Sequence, residues 1–158
     1  GEEIKFIARR LVILAAEDIG LANPNALLMA NSCFQSIHVI GMPEARIILS
    51  ETAIYLATSP KSNSAYAAIN SAMAEVKNSG NLPVPLHLRN APTKLMKEIG
   101  YGKEYKYAHS YDGNFVADQF LPDAMKEQQF YLPGSNSREN EIKKNLKNNW
   151  KDKKRYDD

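Results

Sequence analysis

Residues 4–19 read Ile4-Lys-Phe-Ile-Ala-Arg-Arg-Leu-Val-Ile-Leu-Ala-Ala-Glu-Asp-Ile19, and large apolar side chains recur along them every three or four residues. This spacing is typical of one face of an α-helix. Smaller and branched apolar residues widen that face: Ala8, Val12, Ala15 and Ile19. The stretch therefore predicts a helix that is buried on much of its circumference. It should end at Gly20, because glycine tolerates the left-handed conformation of helix ends.

A second helix is predicted from Pro24 to Ile40, with Asn23 as its N-cap and Pro24 at the first helical position. Gly41 should close it. Its inward side chains are predicted to be Leu27, Leu28, Phe34, Ile37 and Ile40.

Two further helices complete the first half of the chain. Pro43-Glu44 repeats the start signal for a third helix, which Pro60 ends. A fourth helix is predicted from Ser64 to Asn78, capped by Ser62 or Asn63. Four helices joined by short loops predict an all-α bundle or stacked array over residues 1–80.

Beyond residue 80 the sequence predicts an irregular, aromatic-rich arm over residues 81–132, with short helices and one extended strand at 129–132. A terminal helix follows at 137–150, and residues 151–158 are predicted to be disordered. The irregular half lacks the periodicity to hold its own core, so we interpret all 158 residues as a single domain.

Composition restricts the class of protein. The net charge of +2 does not by itself indicate a nucleic-acid binder, and the single cysteine, Cys33, forms no disulfide within the chain. No apolar run approaches the ~18 residues of a membrane span. We therefore expect a cytoplasmic protein without membrane contact. Because the chain starts without methionine and soon enters a helical pattern, it is predicted to be part of a longer protein.

Four segments carry a resemblance to a known family: residues 6–24, 60–66, 83–89 and 105–111. In content and order they resemble the C-terminal region of replication-associated recombination protein A. This AAA+ ATPase family includes the Werner-helicase-interacting protein. The resemblance runs from about Phe6 to Tyr131. It implies a helical domain that assembles the ATPase into a homotetramer, distantly similar to a clamp-loader collar, with the arm packed on the helical array.

The resemblance also implies a role for the longer protein, a DNA-dependent ATPase of replication-fork maintenance, recombination and repair at the bacterial nucleoid. No G-x-x-x-x-G-K-[ST] loop occurs here, so ATP and Mg²⁺ would be held by a motor domain outside this chain. The alternative function is a module that binds nucleic acid or docks a partner. Single-strand-binding protein and the replicative helicase are the candidate partners.

No catalytic, cofactor or metal site is predicted within the chain. Glu17 and Asp18 are adjacent carboxylates, but consecutive helix positions point about 100° apart and do not converge on one proton. With Arg9 and Arg10 they are candidates for structural ion pairs, whose partners lie on another helix or another subunit. The histidines, His38, His87 and His109, share no ligand spacing with Cys33.

Two segments are candidates for contact with nucleic acid. Lys61-Ser-Asn-Ser64 at a helix start could hold a phosphate, but capping explains its serines better. In the arm, Tyr101 and the DNA-contact candidates mix aromatic faces with cations, the composition that single-strand binding uses. Those candidates are Lys103, Tyr105, Lys106 and Tyr107.

Overall fold

The computed structural model describes residues 1–156, and residues 157 and 158 lie outside the described range. Within residues 1–156 the regular structure is entirely helical, which confirms the all-α prediction. Six α-helices follow in chain order: α1 Ile4–Leu14, α2 Asn25–Ile40, α3 Ala45–Thr58, α4 Ser64–Ser79, α5 Lys94–Glu98 and α6 Ser137–Trp150. None of the helices in this part of the chain is long and apolar enough to cross a membrane.

The chain divides into two compact units. Unit 1 combines Gly1–Ser71 with Phe130–Lys143, and unit 2 combines Ala72–Gln129 with the chain from Lys144 onward. Unit 1 is therefore built from two segments that are far apart in sequence. The single-domain organisation stays a prediction.

In unit 1, α1, α2 and α3 pack against one another around two apolar clusters. The first cluster joins the end of α1 to the start of α2 and the end of α3: Ala15, Ile19, Ala26, Ala30 and Leu56. The second joins the opposite ends of the same helices: Ala8, Cys33, Ile37 and Ala45. Because most of these side chains are small, the helix backbones can approach closely.

The helix that begins with α1 continues through a π-helical turn, Ala15–Ile19, before it ends. Ala15 and Ile19 are buried, whereas Glu17 and Asp18 in the same turn are exposed. Gly20 follows with φ 48° and ψ −130°. Its positive φ confirms the predicted helix end at this glycine.

The starts of α2 and α3 differ from the prediction. α2 begins at Asn25, and the Asn23 side chain makes no capping bond. Instead, its Nδ2 donates to the Tyr55 hydroxyl (3.1 Å) and to Ser59 Oγ (3.0 Å), both on or next to α3. α3 begins at Ala45, later than the Pro43-Glu44 signal indicated. The Tyr55 hydroxyl also donates to Asn23 Oδ1 at 3.4 Å, so the oxygen that would cap α2 is bonded to α3 instead.

In unit 2, aromatic and cationic side chains hold irregular backbone. Trp150 contacts Phe115 and Phe120 edge to face, with ring centroids 5.4 and 6.2 Å apart. Arg89 donates to the Tyr101 hydroxyl at 3.0 Å, and its guanidinium lies 4.9 Å from the centre of the same ring. Aromatic anchoring of this segment therefore takes the place of regular secondary structure.

One local prediction for the second half differs from the structure: residues 129–132 form no strand, since no described segment pairs with them. In the tail, the ammonium groups of Lys153 and Lys154 bond to the carbonyls of Ala117 and Gln128, and the Tyr156 side chain is buried. Sequence spacing does not show these contacts. The disorder predicted for residues 151–158 stays a prediction, and residues 157 and 158 lie outside the described range.

Candidate functional site

A buried carboxylate, Glu139, lies at the centre of the most densely hydrogen-bonded cluster in unit 1. Its side chain is 0% exposed. Ser64 Oγ donates to Oε1 at 2.5 Å, and the Tyr131 hydroxyl donates to the same oxygen at 3.1 Å. Asn136 Nδ2 donates to Oε2 at 2.5 Å. The carboxylate is thus surrounded by donors from both sequence segments of unit 1.

The donors determine the ionisation of Glu139. Burial alone raises the pKa of this carboxyl, because it disfavours the charged form. Hydrogen bonds from the Ser62 and Ser64 hydroxyls, the Gly134 backbone and the Asn136 amide outweigh burial and lower the pKa to about 2. A buried group with so low a pKa stays ionised at neutral pH. It therefore acts as a structural acceptor and not as a general acid or base.

Two glycines allow the backbone to close around this cluster. A Cβ on Gly134 would lie 2.8 Å from Glu139 Oε2 and 3.3 Å from Ser62 Oγ. On the other side of the same loop, the Ser62 N–H donates to the Asp18 carbonyl at 2.8 Å. A Cβ on Gly20 would lie 2.7 Å from the Ser62 carbonyl oxygen. The loop before α4 therefore joins the π turn on one side to the Glu139 cluster on the other.

Sequence reasoning found part of this cluster. Of the two predicted caps of α4, Asn63 holds the N-cap position, since its carbonyl accepts the Ala67 N–H at 2.9 Å, and Ser62 Oγ accepts the Ser64 N–H at 3.3 Å. Glu139 was missed, although its N–H bonds to Asn136 Oδ1 at 3.0 Å in the spacing of a capping box. That spacing marks a helix start, but it does not show that the carboxylate is buried against residues 75 positions away.

The four ion-pair candidates are not brought together. Arg9, Arg10, Glu17 and Asp18 are all exposed. None of the four forms an ion pair with another residue in the described range 1–156. Contact with a second subunit, the other arrangement weighed for them, stays a prediction.

The DNA-contact candidates divide into two groups. Lys106 forms an ion pair with Asp118, whose Oδ2 lies 3.2 Å from the ammonium. Burial raises the pKa of Asp118, but the Gln119 backbone N–H and Lys106 outweigh it, and the net shift is downward. Tyr107 contacts the ring of His109, with centroids 5.1 Å apart. All four candidates are exposed. Lys106 and Tyr107 therefore combine exposure with a structural partner, whereas Lys103 and Tyr105 form the second group.

Large apolar side chains are exposed on the helices of unit 1, where small ones fill the core. The inward face of α2 consists of Ala26, Ala30, Cys33 and Ile37, whereas Leu28 is 69% exposed and Ile40 is 49% exposed. The predicted inward positions Leu27, Leu28 and Ile40 are therefore wrong. The helix turns a face of mostly small residues to the core and the larger ones away from it. Other exposed apolar residues are Phe6, Val39, Met42, Ile47 and Ile54.

The helix α4 carries a further apolar row, named here the α4 stripe. Its members are Tyr66, Ile69, Met73 and Val76, which are 47%, 55%, 64% and 56% exposed. Buried or half-buried positions of α4, such as Ser64 and Ala68, point to a different side of the helix. Large exposed apolar patches mark interaction surfaces in soluble proteins.

Comparison with known proteins identifies a family. The family model described as MgsA AAA+ ATPase C terminal matches residues 1–150. Replication-associated recombination protein A of Coxiella burnetii is 42% identical over 142 residues, which cover 89% of this chain and 32% of the relative. The Bacillus subtilis protein of the same name is 45% identical over 131 residues, which cover 83% and 31%.

A eukaryotic relative gives the same result. ATPase WRNIP1 of Dictyostelium discoideum is 42% identical over 132 residues, which cover 83% of this chain and 15% of the relative. The chain spans about a third of the length of its bacterial relatives. The predicted resemblance is confirmed: the chain belongs to the family of C-terminal domains of AAA+ ATPases represented by replication-associated recombination protein A.

Proposed function

We propose that this chain is the oligomerisation module of its AAA+ ATPase and that it joins four copies into a homotetramer. The observation that carries this proposal is the arrangement of apolar side chains on α2, α3 and α4. Alanines fill much of the core, while Leu28, Ile47 and Ile54 are more than half exposed. Association with a second copy that covers these side chains would be favourable, because it removes their apolar surface from water.

For the whole protein we propose an ATPase that acts at DNA replication forks and in recombination. The names of the bacterial relatives support this role. ATP and Mg²⁺ would bind in a motor portion outside this chain, because the chain contains no G-x-x-x-x-G-K-[ST] loop. A tetrameric module would hold four motor domains at high local concentration, so that they engage the same DNA together.

The mass of this chain in solution tests the assembly proposal. We expect size-exclusion chromatography with light scattering to give a mass near four chains, without nucleic acid and across a wide dilution range. Apolar burial should make this mass resistant to moderate salt, because the hydrophobic contribution is not screened. A mass of one chain at every concentration would refute the proposal for this part of the protein.

A second candidate function is contact between the arm and single-stranded DNA, and the exposure of its tyrosines favours it. Tyr105 and Tyr107 are 58% and 59% exposed, and Lys103 beside them is exposed. Exposed aromatic rings next to a cation suit base stacking and phosphate contact. The same exposed side chains suit the other form of this alternative, in which the module docks single-strand-binding protein or the replicative helicase.

Binding of fluorescent oligo-dT to the chain tests the second candidate. If the arm contacts DNA, Tyr105→Ala should weaken affinity by about 1–3 kcal/mol, the usual worth of one base stack. Lys103→Ala should reduce the slope of log affinity against log salt by about 1. Lys77→Ala changes an exposed lysine outside the arm and serves as the control. Equal affinities for all four proteins would exclude the arm as a DNA contact.

A further inference from the structure

The α4 stripe has the geometry of a helix-pairing seam. Tyr66, Ile69, Met73 and Val76 are separated by three, four and three residues, the alternation that places apolar side chains along one line of a helix. All four are at least 47% exposed, so the chain itself leaves the line largely uncovered. The stripe is a property of one continuous helix, Ser64–Ser79.

The surface around the stripe lacks charged residues, as the core of a protein interface does. No charged residue occurs from Ser62 to Ala74, although most of these positions are exposed. Exposed surfaces of soluble proteins normally mix charges of both signs, whereas the cores of interfaces lack them. Small residues flank the stripe at Ala65 and Ala72 and would let a second helix approach closely. The surface therefore suits an apolar helix and not a charged partner.

We propose that the α4 stripe pairs with the α4 stripe of a second copy of this chain, with the two helices antiparallel. This inference rests on the proposed assembly function and assigns one of its interfaces. A surface that binds its own copy about a twofold axis must be complementary to itself. The stripe meets this requirement, since the spacing three, four, three reads the same in both directions.

Charge and helix dipoles select the antiparallel arrangement. In a parallel pair, Lys77 of each copy would lie beside Lys77 of the other, and the helix dipoles would repel. In the antiparallel pair, Ile69 lies against Met73 of the second copy, and Tyr66 against Val76. Lys77 then lies level with Ala65 of the other helix, about 18 Å along the axis from the second Lys77.

Substitution within the stripe tests the inference. Met73→Glu adds a charge to the centre of the proposed pair, and we expect the mass to fall from four chains to two or fewer. Ala67→Glu is the matched control, because Ala67 is exposed on the same helix about 140° from the stripe. It should leave the mass at four chains. Circular dichroism checks that both variants keep the helical content of the wild type.

The outcomes separate the two proposals. A wild-type tetramer that Met73→Glu leaves intact would overturn the α4 pairing and leave the assembly function standing. A monomeric wild type would overturn both. Loss of helical content in Met73→Glu would move the test to Ile69→Glu, with the same expected fall in mass and the same overturning result.

Cysteine cross-linking tests the direction of the pair. After copies carrying Tyr66→Cys and copies carrying Val76→Cys are mixed and allowed to exchange, oxidation should give a cross-linked dimer. Either variant alone should give none, because its two cysteines lie about 15 Å apart along the axis of an antiparallel pair. The natural Cys33 is 1% exposed, so it should not react. Cross-linking of the Tyr66→Cys variant with itself would show a parallel pair and overturn the proposed arrangement.

Discussion

Replacing Glu139 with glutamine is expected to lower the free energy of unfolding by about 3 kcal/mol at neutral pH. The expected value follows from the lowering of the Glu139 pKa from 4.5 to about 2, since each pKa unit corresponds to about 1.4 kcal/mol. Glutamine would also replace one of the two carboxylate oxygens, which accept from Ser64, Tyr131 and Asn136, by an N–H₂ group. Donors that lose a buried acceptor cost stability.

The same pKa shift predicts how stability depends on pH. The folded pKa lies below the unfolded one, so the contribution of Glu139 is complete above about 4.5 and is lost as the pH falls towards 2. The difference between the wild type and Glu139→Gln should therefore be largest near neutral pH. It should shrink steadily between pH 4.5 and pH 2.

Urea unfolding at a fixed protein concentration, followed by circular dichroism at several pH values, measures this effect. Glu141→Gln is the matched control, because Glu141 lies two positions further along α6 and is exposed. It should change stability by less than about 0.5 kcal/mol. Equal stabilities of Glu139→Gln and Glu141→Gln at neutral pH would show that the buried cluster does not stabilise the fold.

Gly20→Ala is expected to destabilise the chain by about 3 kcal/mol, for two separate reasons. Gly20 has φ 48°, a conformation that residues with a Cβ rarely adopt. In addition, a Cβ there would lie 2.7 Å from the Ser62 carbonyl oxygen. This backbone atom cannot rotate away, and the Ser62 N–H is bound to the Asp18 carbonyl. Relief of the overlap must therefore move the whole loop before α4.

Gly41→Ala separates the two reasons. Gly41 also follows a helix with positive φ, 69°, but no atom lies within 4 Å of the position its Cβ would take. This variant should show the backbone strain alone, about 1–2 kcal/mol. Thermal or urea unfolding of both variants under one set of conditions gives the difference. If Gly20→Ala lowers the free energy of unfolding by no more than Gly41→Ala does, the close approach of the Ser62 carbonyl does not add to the destabilisation.

The sequence was informative wherever structure depends on local spacing. The apolar repeat of α1 and the glycine after it predicted a helix and its end, and Gly20 has the expected positive φ. The start of α4 near Ser62 and Asn63 was predictable for the same reason, since the bond from the Ser64 N–H to Ser62 Oγ spans two residues. Repeats and caps act over one or two turns, so the sequence shows them directly.

Features that depend on distant residues were not predicted. Asn23 is predicted to be a cap, but its Oδ1 accepts from the Tyr55 hydroxyl and its Nδ2 donates to Tyr55 and Ser59. Leu28 is predicted to point inward, but α2 turns Ala26, Ala30, Cys33 and Ile37 to the core, and Leu28 on the opposite face is 69% exposed. The spacing at Glu139 marks only a helix start, and its contact with Ser64 shows its role. The errors at Asn23 and Glu139 concern partners that lie far away in sequence, whereas the error at Leu28 concerns which face of the helix is buried.

The division of unit 1 into two sequence segments affects the order in which the unit folds during synthesis. The contact between Ser64 and Glu139 closes a loop of 75 residues, and most of unit 2 lies within that loop. Closing such a loop costs entropy before any contact repays it, which slows folding. On the ribosome, the first three helices can meet as soon as they emerge. The Ser64 hydroxyl at the start of α4, however, can bond to Glu139 only after residue 139 has been synthesised.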